Sequence, residues 1–264
     1  MRTLIHGHQT SFTDEGKGQA ILFVHGFPLN RGCWSSQVDG FKHRNRVIAP
    51  DLRGFGASEP RLGPASMDLF ASDLFALCQH LKTGPVILVG HSMGGYVALA
   101  FAKAFPLFLR GLVLVGTRAG ADPPEVAEGR IAAAKKVQAE GIASVVEAMA
   151  PKMLASSTTN PGLEGTIREL MGSSSAEGVA SALLGMAERA DRRADLADIR
   201  VPTLVLAGAE DSTVPPSEST ALAEGIPGAE LVILPKAGHL VAMEQSIAFN
   251  AALGSWLDAS CGFS

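Results

Sequence analysis

Gly90-His91-Ser92-Met93-Gly94 fits the pattern G-x-S-x-G, with the apolar run Val86-Ile87-Leu88-Val89 before it and a helical pattern after it. A serine on so tight a strand-to-helix turn crowds the residues two before and two after it, so glycine is favoured at both places. Gly95 adds room for helix–strand contact. The turn lifts the hydroxyl above the sheet and sets it at a helix N-terminus, where backbone N–H groups face a developing negative charge. The chemistry implied is nucleophilic attack by Ser92. A serine hydroxyl is a weak nucleophile, however, and needs a base that is itself oriented by an acid.

Two later segments supply those groups in the order nucleophile, acid, base. Gly208-Ala209-Glu210-Asp211-Ser212 follows the run Thr203-Leu204-Val205-Leu206, and Ala237-Gly238-His239 follows Leu231-Val232-Ile233-Leu234. Both lie just past strand ends, the edge where open α/β sheets place their sites. Of seven histidines, His239 alone follows the last strand run, which makes it the base. His6 and His8 precede the core, and His43 and His80 fall in polar, solvated contexts. His25 and His91 flank functional loops and read as hydrogen-bond supports. Glu210 and Asp211 both stand where the acid is needed, whereas Asp191 and Asp198 look like helix-end or surface charges. An oxyanion needs two backbone donors. Met93 offers one, and the loop His25-Gly26-Phe27-Pro28 offers the other at Phe27, since Pro28 has no N–H.

The elements that must hold these residues are short, continuous, β-branched runs closed by turn residues, the look of strands buried on both faces. They are Ile21–Val24, Val47–Ala49, Val86–Val89, Leu112–Val115, Thr203–Leu206 and Leu231–Leu234. Amphipathic helices lie between them. The clearest follows the N-cap candidate Ser66, with Met67, Phe70, Leu74, Leu77 and Leu81 on one face. Another opens after Ser92, and a last one spans about 244–257. From Ala121 to about Leu196 no strand run occurs, and the segment reads as roughly four short helices punctuated by Gly and Pro. The expected plan is one α/β domain over 1–264, a mainly parallel sheet flanked by helices, with a helical cap inserted at about 120–197 before the last strands.

Other patterns carry less. Gly54-Phe55-Gly56-Ala57-Ser58-Glu59 starts like a dinucleotide fingerprint but ends on Glu59 with no helix opening there. Asp51 and Arg53 read as builders of the turn after their strand, with a rim contact to substrate as the alternative. No GKS/GKT loop and no H-E-x-x-H is present.

Composition bounds the rest. The chain has 264 residues, 47% of them hydrophobic and 18% charged, enough to bury a substantial core and too apolar for disorder. A net charge of −4 lacks the basic footprint that nucleic acid demands. The polar start Met1-Arg2-Thr3-Leu4-Ile5-His6 is unlike a signal peptide, and no apolar run approaches the ~20 residues of a membrane span. Three scattered cysteines, Cys33, Cys78 and Cys261, suggest neither a disulfide framework nor a metal site. A cytoplasmic protein is expected, with no nucleic-acid or membrane partner, acting as a monomer or small homo-oligomer.

His25-Gly26-Phe27-Pro28-Leu29 with Trp34, then Asp51-Leu52-Arg53-Gly54-Phe55-Gly56-Ala57-Ser58, then Gly90 to Tyr96, and Ala237-Gly238-His239-Leu240 with Glu244, together resemble the α/β-hydrolase superfamily over essentially the whole chain. Within it the chain resembles short-chain carboxylesterases of the group that includes 3-oxoadipate enol-lactonases and cofactor-free haloperoxidases. Arg118 with Asp122-Pro123-Pro124, Glu177-Gly178, and Gly185 through Arg189 add to that likeness. The resemblance implies a triad of Ser92, Asp211 and His239, with Glu210 a solvated neighbour, and oxyanion donors at Phe27 and Met93. It implies hydrolysis of small, short-acyl esters through an acyl-enzyme, with no metal and no organic cofactor. Leu29 and Leu240, beside the oxyanion loop and the base, are expected to line the substrate pocket. A lactonase or C–C hydrolase with the same triad is the nearest rival, perhydrolysis a side activity, and a ligand receptor in a hydrolase shell a distant one. Epoxide hydrolases and haloalkane dehalogenases need a carboxylate where Ser92 stands.

Overall fold

The computed structural model describes residues 1–60, 63–260 and 262. Cys261 lies outside them, while Cys33 and Cys78 are buried free thiols. Burial pushes the Cys33 thiol up, and pushes that of Cys78 up to about 12, so both act as small apolar core residues.

The expected strand runs are all present as β3 (Ala20–Val24), β4 (Arg46–Pro50), β5 (Val86–His91), β6 (Leu109–Val115), β7 (Thr203–Gly208) and β8 (Glu230–Leu234), preceded by β1 (Arg2–Ile5) and β2 (His8–Glu15). Among the described residues they form an eight-stranded sheet in the order β1-β2-β4-β3-β5-β6-β7-β8. All pairings from β4 to β8 are parallel, while β1 and β2 run antiparallel. The order reverses direction between β3 and β5. The ends of both strands therefore share one crevice, and Ser92 follows β5 there.

β1 and β2 were not among the sequence expectations. Most of their residues are polar, though Ile5 and Phe12 pack on Leu77 of the core, and β2 lies between β1 and β4 with the loop after β4 against it. Asp51 N–H and Glu59 N–H donate to the carbonyls of Ser11 and Gln9, and Ser11 N–H donates to Ser58 Oγ. β8 corrects another expectation. It is the sheet's open edge, so Leu231 and Ile233 remain 36% and 41% exposed rather than buried on both faces.

Helices cover the sheet on two faces. On one side lie α2 (Met67–Leu81) and α3 (Met93–Ala104), and on the other α1 (Ser35–Phe41). Ser66 caps α2 by accepting from Leu69 N–H at 3.1 Å, and Met67, Phe70, Leu74 and Leu77 are buried as their spacing requires.

Between β6 and β7 stand α4 (Pro124–Glu140), α5 (Ala143–Met149), α6 (Leu163–Gly172) and α7 (Ala176–Ala187). Four helices occupy this insert, but α4 spans 17 residues and is not short. The insert seats on the core through a glycine pair: a Cβ on Gly54 would collide with Gly178 Cα, and one on Gly178 with the Gly54 carbonyl. After α8 (Pro216–Gly225) and β8, the expected final helix is two, α9 (Val241–Glu244) and α10 (Ser246–Ser260). They break at Gln245, whose side chain turns back to donate to the Lys236 carbonyl.

Candidate active site

Ser92 sits between β5 and α3 with φ 51° and ψ −114°, a conformation that costs a non-glycine residue about 1–3 kcal/mol. The surroundings hold it there. Ser92 N–H donates to the Val115 carbonyl at 2.8 Å, and the Ser92 carbonyl accepts from Thr117 Oγ1 at 2.8 Å. Glycine is obligatory on either side: a Cβ on Gly90 would strike the Gly94 carbonyl, and one on Gly94 would strike that of Val24.

His239 Nε2 lies 2.9 Å from Ser92 Oγ, and His239 Nδ1 lies 2.8 Å from Asp211 Oδ2. Asp211 is only an acceptor when ionised, so Nδ1 carries the proton and Nε2 is left as acceptor for the serine hydroxyl. The other carboxylate oxygen, Oδ1, accepts from the backbone N–H groups of Thr213 (2.9 Å) and Val214 (2.8 Å), which fixes the plane of the acid. Asp211 and His239 are buried, whereas Ser92 is half-buried. The three residues expected to act together are thus joined in one hydrogen-bonded line.

The expected backbone donors flank the serine. Met93 opens α3, so its N–H has no acceptor within its own helix. Phe27 follows β3 in a loop that presses on the serine: a Cβ added to Gly26 would lie 3.0 Å from Ser92 Cβ. Leu29 and Leu240 are both buried and border a small apolar cavity with Trp34, His91, Ala242 and Met243. Among the described residues no group of three or more His, Cys, Asp or Glu is placed to hold a metal ion. No helix among them is long and apolar enough to cross a membrane.

His91 and His25 act as supports. His91 Nε2 donates to the His239 carbonyl at 2.8 Å. Burial first, and the neighbouring His239 second, lower its pKa to about 3, so the ring stays neutral and keeps that donor. His25 Nε2 accepts from Leu52 N–H at 3.0 Å, and burial lowers its pKa too. Asp51 and Arg53 are committed inside the protein: Asp51 accepts from the N–H groups of Arg31 and Ala57 at 2.9 Å and pairs with the Arg31 guanidinium. Arg53 grips Asp73 with two bonds of 2.6 and 2.7 Å.

Glu210 and Glu244 hold contacts that the sequence did not reveal. Glu210 is not merely solvated: it accepts from Ser157 Oγ at 2.6 Å, and hydrogen bonding to Ser157 holds its carboxyl below the ordinary range. Glu244 accepts from four donors around the His239 loop. Its place beside Ala237-Gly238-His239-Leu240 in the family resemblance was the signal available, and that signal does not say where the partners lie.

Known proteins share this fold. The family described as alpha/beta hydrolase fold matches residues 19–246. A thermophilic esterase from Thermogutta terrifontis, solved with malate bound, shares 43% identity at a TM-score of 0.96, with 98% of each chain covered. The enol-lactonase from Burkholderia xenovorans shares 28% identity at a TM-score of 0.89, covering 98% of this chain and 100% of its own. 3-Oxoadipate enol-lactonase 2 from Acinetobacter baylyi is 30% identical over 236 residues, which is 89% of this chain and 86% of that protein.

Proposed function

The chain belongs to the alpha/beta-hydrolase family and is a hydrolase; on that premise we propose that it is a serine carboxylesterase for small, short-acyl esters. The observation that carries this reading is the line from Ser92 Oγ through His239 to Asp211, at 2.9 and 2.8 Å. The 43% identical Thermogutta esterase supports the ester as substrate.

In the proposed reaction, His239 Nε2 takes the Ser92 proton as Oγ attacks the ester carbonyl. The N–H groups of Phe27 and Met93 hold the oxyanion, and Asp211 stabilises the imidazolium without taking its proton. His239 then protonates the departing alcohol. A water deprotonated by the same ring attacks the acyl-enzyme, and collapse returns the acid and free Ser92. Beyond the substrate and that water, the steps draw on groups of this chain.

The test is turnover of p-nitrophenyl butyrate. Wild-type protein is expected to give many turnovers per molecule and to be stopped by a serine-directed phosphonate. Ser92→Ala is expected to lose roughly 10⁴-fold or more in kcat. A single stoichiometric burst, or activity that survives Ser92→Ala, overturns the proposal.

Lactone hydrolysis is the second reading, favoured by the two enol-lactonases that match over nearly the full chain. The same triad would open a ring ester, the leaving alcohol staying attached to the acyl group. Comparing kcat/KM for enol-lactones with that for p-nitrophenyl esters separates the two.

A further inference from the structure

Segment 153–158 of the insert touches the loops that carry both His239 and Asp211, and two carboxylates make the connection. Glu244 Oε1 accepts from the N–H groups of Gly238 (2.9 Å) and Leu240 (3.1 Å), one on each side of His239. Its Oε2 accepts from Ala155 N–H (2.8 Å) and Thr158 Oγ1 (2.6 Å) in the insert. Glu210, the residue before Asp211, holds the same segment through Ser157 Oγ (2.6 Å), Ser156 Oγ (3.2 Å) and Ser157 N–H (3.3 Å). The Met153 carbonyl completes the attachment by accepting from His239 N–H (3.1 Å) and Leu240 N–H (3.3 Å). Contact is close enough that a Cβ on Gly238 would lie 2.5 Å from Ala155 N.

The Glu244 oxygens accept two bonds apiece, from three backbone N–H groups and one hydroxyl. An ionised carboxylate satisfies all four, while an amide of the same shape must turn its NH₂ toward at least one backbone N–H, since of the four partners the Thr158 hydroxyl alone can accept. The residue is therefore chosen for charge and acceptor count, and filling the space does not explain it.

We propose that Glu244 is a positioning residue for His239, and that segment 153–158, pinned between Glu244 and Glu210, makes alignment of the base depend on how the insert is seated. The proposal rests on the reading of His239 as base. A base must be held to a fraction of an ångström, and its backbone here is fixed on one side by His91 and on the other by Glu244 and Met153.

The test compares Glu244→Gln and Thr158→Val with wild type on p-nitrophenyl butyrate, with thermal unfolding measured alongside. Glu244→Gln is expected to lower kcat roughly 10- to 100-fold with KM changed less than about threefold. It should slow phosphonylation of Ser92 to a similar degree while Tm moves little. Thr158→Val removes one insert-side donor, leaves the Gly238 and Leu240 bonds intact, and is expected to lower kcat several-fold in the same pattern. A folded Glu244→Gln with wild-type kcat and phosphonylation rate overturns the proposal, as does a loss confined to KM or to Tm. If Glu244→Gln does not fold, Thr158→Val decides. An unaffected Thr158→Val overturns the coupling to the insert. Ser92→Ala run in parallel keeps the two ideas apart: activity surviving there refutes the hydrolase mechanism itself, whereas a dead Ser92→Ala beside an unimpaired Glu244→Gln refutes only the positioning role.

Discussion

One oxygen of Asp211 faces two backbone N–H groups and the other faces an imidazole N–H, a division that makes the residue type exacting. In Asp211→Asn the remaining carbonyl oxygen would stay with Thr213 and Val214, and the NH₂ would point at His239 Nδ1. The ring would then carry its proton on Nε2 and could not accept from Ser92. A fall in kcat of roughly 10⁴-fold at neutral pH, with little change in Tm, is the expected outcome. Steady-state kinetics with a denaturation curve checks it. At this scale much was legible. Ser92 announced itself by the flanking glycines, and His239 by being the sole histidine after the last strand run. The supporting roles of His25 and His91 followed from their places beside functional loops. Glu210 and Glu244 were not legible as anchors, because their partners at 155–158 belong to a segment with no periodic pattern that only the tertiary fold brings near. His8 precedes the core strands in sequence and is nonetheless buried, 3.9 Å from Asp73.

Among the elements, strands built of continuous β-branched runs were the easiest to recognise, since burial on both faces demands that composition. The hairpin of β1 and β2 escaped because its runs are short and mostly polar, and its place in the sheet is set by pairing with the distant β4. A hydrogen-bonded contact of His6 ties that hairpin to α2 at a carboxylate that also forms a buried ion pair. Asp73 on α2 is gripped by Arg53 from the loop after β4, with His6 from the hairpin turn 2.9 Å away. Both side chains of the Arg53–Asp73 pair are almost wholly buried. Arg53→Met would leave the Asp73 carboxylate facing the interior without its main partner, and a loss of about 3 kcal/mol in urea unfolding is expected. The double variant Arg53→Met with Asp73→Leu is expected to recover much of that loss, because it removes the orphaned charge along with its partner. Equal destabilisation in the single and double variants would show that the pair's desolvation does not govern the site.

At the scale of the whole molecule, the insert and the core meet around a second buried carboxylate. Asp122, in the loop between β6 and α4, is fully buried at its side chain and pairs with Arg118 (2.9 Å), Arg130 (2.5 Å) and Arg189 (2.6 Å). These arginines come from the core loop, from α4 and from just beyond α7, so one carboxylate joins both ends of the insert to the sheet. Burial works against its charge, but hydrogen bonds from Arg189 and Arg130 outweigh that and hold its carboxyl below the ordinary range. The folded protein therefore binds fewer protons at this group than the unfolded chain does. Its contribution is complete above the ordinary carboxylate value of about 4 and is lost as pH falls through the lower folded value. Wild-type Tm is accordingly expected to drop more steeply below pH 4 than that of Asp122→Asn, whose stability is lower at neutral pH but flatter with acid. Thermal scans from pH 3 to 6 check this. The interruption of the sheet by the insert has a further consequence in time. β6 pairs with β7 across it, Leu112 beside Thr203, so the groups that follow the two strands come from distant parts of the chain. Ser92 and His239 are 147 residues apart, so on a ribosome adding about 5–20 residues per second the elbow waits roughly 7–30 s for its partner to be made. A nascent chain thus carries Ser92 without His239 until those 147 residues have been added.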